Sequence, residues 1–145
     1  MKKYFFDVIT NHYIDFKGRA RRKQYWMWVL YYLIFCLIYS ITVVTIYAVT
    51  KADIIAKNAS IFGKIYFYIL LLPSLGLQVR RLHDSGKSAW WLLVYAIPFA
   101  ETKLAIGSIN TLTSLIIGAI IMIILFCLDS QPGTNKYGPN PKGIN

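Results

Sequence analysis

Acidic residues, and charged residues in general, are scarce in this chain. Only 6 of its 145 residues are Asp or Glu, and charged residues make up 15 % of the sequence, against about 25 % in a typical soluble domain. Apolar residues make up 57 %. This composition excludes a disordered chain, which needs low hydrophobicity, and argues against an ordinary soluble enzyme.

Cysteine and histidine are also nearly absent. Cys36 and Cys127 stand far apart inside apolar runs and form no CxxC or Cys/His pattern, so we expect small buried side chains rather than a disulfide or a metal site. The two histidines belong to no HExxH motif, and there is no GxSxG. The letters GKS at 86–88 do not complete a P-loop, because Arg81 stands where the first glycine of GxxxxGK[ST] is required. The sequence therefore predicts no catalytic residue, no metal and no cofactor.

What the chain has instead is a series of long apolar runs. Residues 25–50 are 26 positions without a charge, which as a helix reach about 39 Å and exceed the roughly 30 Å of a bilayer core. We predict an all-α, polytopic integral membrane protein within 25–128, with four transmembrane helices at about 25–50, 61–79, 88–101 and 104–128. Pro73 should kink the second. The alternative is three spans, because 88–101 is short and is equally suited to a re-entrant or interfacial piece.

Basic residues are distributed unevenly between these runs. Seven of the 16 Lys and Arg residues precede Tyr25, which places the N-terminus in the cytoplasm by the positive-inside rule. Four spans put 12 basic residues inside and 4 outside, whereas three spans give 10 and 5 and leave Lys103 unassigned. The count therefore favours four spans.

Residues 1–24 form a cytoplasmic segment that is amphipathic and polybasic. Apolar residues recur at helical spacing over 4–16, which predicts a short helix, either interfacial in the headgroup plane or packed on the inner ends of the spans. Aromatic residues follow the two basic clusters, and we interpret them as an interfacial belt: Tyr25, Trp26, Trp28, Trp90 and Trp91.

The segment RRLHDSGKSAWW at 80–91 is the strongest candidate for a site. Two guanidiniums and an ammonium suit a phosphate group, and Asp84 could orient His83 as an acid or base. The alternative is a loop whose arginines set topology, with a turn at Gly86 and a helix cap at Ser88. With the cluster FKGRARRKQYW at 16–26, the candidate anion- or lipid-binding residues are Arg19, Arg21, Arg22, Arg80, Arg81, His83, Asp84, Lys87 and Asp129.

These residues indicate a non-enzymatic membrane protein that binds anionic phospholipid headgroups or an acidic partner segment. Nucleic acid is not an expected partner, because no reading module accompanies the charges. A small transporter or channel subunit is a second reading, although no span carries an interior ionisable residue. A lipid-modifying enzyme using His83 and Asp84 is a third. The tail 129–145 is rich in Pro, Gly and Asn, so it is irregular, and either folds back over the basic loop or is disordered.

Three segments, FKGRARRKQYW, RRLHDSGKSAWW and DSQPGTNKYGPNPKG, resemble, in the same order, the signatures of a bacterial inner-membrane family catalogued as domain of unknown function 805 (YhaH-type). The resemblance extends from about Phe16 to Gly143. It implies a small multi-pass protein of the bacterial cytoplasmic (inner) membrane, and it supplies no activity, substrate or cofactor.

Overall fold

A computed structural model of the chain describes residues 2–51, 53–96 and 111–143. Four α-helices and one 3₁₀ helix lie in these ranges: α1 (Lys2–Thr10), α2 (Arg22–Thr50), α3 (Asp53–Asp84), the 3₁₀ helix (Ala89–Ala96) and α4 (Thr111–Cys127). The described residues contain no strand and one isolated bridge between Asn135 and Gly138. The all-α prediction is confirmed for them.

Two helices, Arg22–Thr50 and the Lys57–Asp84 part of α3, are long and apolar enough to cross a membrane, and Leu112–Cys127 is a shorter apolar helix. They contain the predicted spans 25–50 and 61–79. Helix α3 runs through Pro73 without a break. The predicted span 88–101 begins as a 3₁₀ helix rather than an α-helix, and its predicted end, with the start of span 104–128, lies outside the described residues. The number of spans stays a prediction.

The described residues divide into two compact units. The first comprises residues 2–15, 23–51 and 53–76. Its helices pack through aromatic rings: Phe5 stacks on Trp28 with centroids 4.9 Å apart, and Phe35 stacks on Tyr66 at 4.0 Å. Trp28 also donates a hydrogen bond from Nε1 to Ser74 Oγ at 3.2 Å.

The predicted aromatic belt is therefore wrong at two positions. Tyr25 and Trp28 are only 8 % and 3 % exposed, because they face the protein interior. Trp26, Trp90 and Trp91 are exposed.

Helix α1 ends at Thr10, six residues earlier than predicted. Just beyond this end, the Asn11 side chain donates to Asp7 Oδ1 at 2.9 Å, and His12 pairs with Asp15 at 2.8 Å. The following residues pack on α3, where the Tyr13 hydroxyl donates to the carbonyl of Ile69 at 2.6 Å. The residues after α1 therefore contact α3, one of the two helices that are long and apolar enough to cross a membrane.

The second unit comprises residues 16–22, 77–96 and 111–143. Leu77, Leu82, Met122 and Phe126 form its apolar core and are at most 1 % exposed. The 3₁₀ helix packs on α4, since a Cβ at Gly118 would lie 3.5 Å from the Val94 side chain. The expectation of buried cysteines is wrong for Cys127, which is exposed, while Cys36 is partly exposed, and both are free thiols.

Candidate functional site

The predicted basic loop at 80–87 is, in its first five residues, the end of helix α3. The helix then stops in a Schellman motif, in which Gly86 N–H donates to His83 O at 3.1 Å and Lys87 N–H to Leu82 O at 2.9 Å. Gly86 has φ +74°, a conformation that favours glycine. Ser88 Oγ accepts from Trp90 N–H at 3.4 Å. The expected turn and cap are both present.

Asp84 is the centre of a buried ion cluster. Arg19 Nε donates to Asp84 Oδ1 at 3.0 Å, and Arg81 Nη1 donates to Oδ2 at 2.5 Å. The Ser130 hydroxyl donates to the same Oδ2 at 2.6 Å. The side chains of Arg19, Arg81 and Asp84 are at most 1 % exposed, so each charge depends on the others for compensation.

Arg19 also fastens the C-terminal tail. Its guanidinium donates to the carbonyl oxygens of Gly133 at 2.8 Å and Gly138 at 3.2 Å, and to that of Gln131. Gln131 N–H donates in turn to the carbonyl of Asp84 at 2.8 Å. Of the two alternatives for the tail, folding back over the 80–87 segment is the one observed.

Two arginines cap the C-terminus of α4. Arg81 Nε donates to Phe126 O at 3.1 Å and Nη2 to Leu128 O, while Arg22 Nη1 donates to Cys127 O at 3.2 Å. These carbonyls have no partner within the helix, and cations at a helix C-terminus interact favourably with its dipole. Burial lowers the pKa of Arg81, and the neighbouring Asp84 acts in the opposite direction.

Asp129 forms a second, exposed ion cluster. Its Oδ1 lies 3.2 Å from Arg22 Nη2 and accepts a hydrogen bond from Lys142 Nζ. The hydrogen bond from Lys142 is the main reason that the pKa of Asp129 is lowered, and the Ser130 backbone adds to the effect.

His83 does not form the predicted pair with Asp84. Adjacent helical residues do not face each other, and Asp84 is bound to Arg19, Arg81 and Ser130. The imidazole instead stacks on Tyr137, with centroids 3.7 Å apart and planes 6° apart. Burial lowers the pKa of His83, a hydrogen bond to the Gly18 backbone raises it, and Lys136 lowers it. The imidazole is therefore held in a stack on Tyr137 and forms no acid–base dyad with Asp84.

The remaining candidates lie around these clusters. Arg21 Nε donates to Pro141 O. Arg80 is 3 % exposed, and its carbonyl accepts from Ala20 N–H at 3.0 Å. Lys87 lies half-buried in the turn after α3. No group of three or more His, Cys, Asp or Glu suited to a metal occurs in the part of the chain that the structure describes.

Sequence reasoning missed the polar residues of the tail that complete the site. Ser130 reaches Asp84, the Asn135 amide donates to His83 O at 2.9 Å, and Tyr137 covers the imidazole. The Pro, Gly and Asn content indicated irregular structure. This composition does not indicate which residues the tail contacts.

Comparison with known proteins gives one consistent result. Residues 13–139 match the family described as "Protein of unknown function (DUF805)". The chain is 34 % identical to Inner membrane protein YhaH of Escherichia coli strain K12 over 134 residues, which is 92 % of this chain and 93 % of YhaH. It is 31 % identical to Inner membrane protein YhaI of the same strain over 140 residues, covering 97 % of this chain and 96 % of YhaI. No solved structure matches. The chain therefore belongs to the DUF805 family of proteins of unknown function.

Proposed function

We propose that this protein is a non-enzymatic, multi-pass protein of the bacterial cytoplasmic membrane whose basic cap binds anionic phospholipid headgroups. The basic cap is defined here as residues 16–22, 80–88 and 129–143. One observation carries the proposal: the cap contains nine Lys and Arg residues and two Asp, so internal pairing leaves a large positive excess. Cations close to an anionic leaflet each contribute about 1 kcal/mol.

The nine cations of the cap differ in burial, and three of them are half-buried: Arg22, Lys87 and Lys142. Arg19, Arg80 and Arg81 are buried. The guanidiniums of Arg19 and Arg81 bind Asp84 and protein carbonyls. Lys17, Arg21 and Lys136 are exposed. We assign headgroup attraction to the exposed group, because a buried guanidinium that already binds protein carbonyls would have to leave them to reach a phosphate.

The proposed topology rests on the same contacts. Arg19, Asp84 and Ser130 come from the three segments of the cap and share one ion cluster, which requires all three segments on one side of the membrane. This supports an even number of crossings between residues 22 and 129, as in the four-span prediction. The positive excess favours the cytoplasmic side, and the relatives YhaH and YhaI are inner membrane proteins.

The proposal is tested by native mass spectrometry of the protein purified in mild detergent, with phosphatidylglycerol competing against phosphatidylethanolamine. Wild type should retain phosphatidylglycerol preferentially. A double variant, Lys17→Gln/Arg21→Gln, should lose about 2 kcal/mol of that preference, roughly thirtyfold.

The matched control removes two exposed lysines remote in sequence from the cap, Lys51→Gln/Lys57→Gln. It has the same loss of charge and should keep the wild-type preference. An unchanged preference in the Lys17→Gln/Arg21→Gln protein, or an equal loss in the control, would exclude the basic cap as the headgroup site.

A further inference from the structure

Two adjoining cavities lie in the second unit, beside the ion cluster but separate from it. Both are open to the surface, and the first has a volume of about 370 Å³. Its walls are formed mainly by His83, Ser88, Trp90, Leu92, Leu93 and Tyr137. The second, of about 350 Å³, shares Ser88, Trp90 and Leu93 with the first and adds Trp91 and Val94.

The first cavity has an apolar wall and a polar wall. Leu92, Leu93 and the indole of Trp90 are apolar, and the residues Trp90 and Leu93 are 73 % and 57 % exposed. Ser88, His83 and Tyr137 supply polar groups. An exposed surface of this kind is matched by an amphiphile, whose apolar part covers the leucines and the indole.

Positive charge lies next to the polar wall. Lys136 Nζ stands 4.9 Å from the centroid of the Tyr137 ring, and Lys87 immediately precedes Ser88. No carboxylate lines either cavity among the described residues. The charge is therefore complementary to an anionic headgroup, and tryptophan beside a basic segment is typical of the membrane interface.

We infer that the two adjoining cavities hold the acyl chains of one anionic phospholipid, with its phosphate against Ser88, Tyr137 and the ammonium of Lys136. Two cavities that meet at Trp90 fit a molecule with two chains joined at one headgroup. This inference rests on the proposed function, and it adds a defined site for a single lipid to the diffuse attraction of the exposed cations.

The test fills the first cavity without changing charge. Ala89 is also part of its wall, so Ala89→Leu occupies space that a chain would need. The control Ala119→Leu makes the same substitution at an exposed position of α4. Native mass spectrometry with phosphatidylglycerol as the probe should show one lipid per wild-type chain that survives activation strong enough to remove the others. Ala89→Leu should lower its occupancy about tenfold or more, which corresponds to about 1.4 kcal/mol, and Ala119→Leu should leave it unchanged.

A second measurement tests the same inference even if the Ala89→Leu protein does not fold. Phosphatidylglycerol with brominated chains should quench wild-type tryptophan fluorescence in a saturable way. Trp90→Phe should lower the saturable part, and the remainder should come from Trp91 in the wall of the second cavity. Full retention of the single lipid by folded Ala89→Leu, or unchanged saturable quenching in Trp90→Phe, would overturn the inference. Its failure is distinct from failure of the proposed function, because the Lys17→Gln/Arg21→Gln protein keeps both cavities and tests only the diffuse attraction.

Discussion

Arg19 Nε and Asp84 Oδ1 lie 3.0 Å apart although 65 residues separate them in the chain. Arg81 binds the other carboxylate oxygen, so one buried negative charge compensates two buried positive charges. The ends of three chain segments are joined at this point. Removal of the shared carboxylate should therefore affect all three together.

The variant Asp84→Asn should be strongly destabilised. It leaves the Arg19 and Arg81 guanidiniums buried without a counter-charge, which typically costs about 3–5 kcal/mol. The measurement is thermal unfolding in detergent against wild type. The same substitution at Asp53, an exposed carboxylate at the other end of α3, should cost less than about 1 kcal/mol. Equal melting temperatures for Asp84→Asn and Asp53→Asn would show that the buried cluster does not stabilise the fold.

Arg19→Lys should release the tail while keeping the positive charge. Lysine lacks the planar fork that reaches Asp84 and the carbonyls of Gly133 and Gly138 together. Loss of one or two charge-assisted hydrogen bonds, about 1.5–3 kcal/mol each, should speed tryptic cleavage after Lys136 by roughly tenfold or more.

The control for this experiment is Arg21→Lys. Arg21 is exposed, and among the described residues its guanidinium binds one carbonyl, that of Pro141. Tryptic cleavage of the Arg21→Lys protein after Lys136 should therefore stay close to the wild-type rate. Cleavage of the Arg19→Lys tail at the wild-type rate would mean that Arg19 does not hold it.

Long apolar runs made the helices predictable, and the contacts between segments were not. The uncharged run at 25–50 specifies most of α2 by itself, because each backbone hydrogen bond of a helix closes locally. Whether Trp28 faces the protein interior depends instead on its contacts with Phe5 and Ser74, and no local sequence pattern indicates those partners. In the same way, a basic cluster has the same composition whether its guanidiniums face phosphates or protein carbonyls. The sequence therefore singled out Arg19, Arg81 and Asp84 as a group but did not indicate that they bind one another.

Stability should decrease as the pH falls below the ordinary histidine pKa of about 6.5. Burial lowers the pKa of His83 in the folded protein, so the unfolded chain takes up a proton that the folded chain does not. The stabilising contribution is complete above the ordinary pKa and is lost as the pH falls towards the lowered value. Melting temperatures recorded between about pH 7.5 and about pH 5 should show the decrease.

His83→Phe keeps a ring to stack on Tyr137 but cannot titrate, so its melting temperature should be less dependent on pH in this window. A slope that is the same in His83→Phe and in wild type would show that His83 is not the source of the pH dependence.

The pKa of Asp129 should rise towards its ordinary value in Lys142→Gln, because the Lys142 hydrogen bond is the largest cause of its lowering. Because the pKa of Asp129 is lowered in the folded protein, its contact with Lys142 stabilises the tail fully at a pH above the ordinary carboxyl pKa. This stabilisation is lost as the pH falls through the lowered pKa of Asp129. Carbon-detected NMR titration of the labelled carboxyl measures the change. Lys87→Gln serves as the control, and an Asp129 pKa that is the same in both variants would refute the contact.

The most direct test of the account concerns the side of the membrane on which the two chain termini lie. Paired reporters that are active only in the cytoplasm or only outside it are fused, one at a time, to the N-terminus and after Asn145. The account predicts that both termini are cytoplasmic, because Arg19 binds Asp84 and the carbonyls of the tail directly. Termini on opposite sides would contradict it, since no hydrogen bond can join Arg19 to Gly133 across a bilayer.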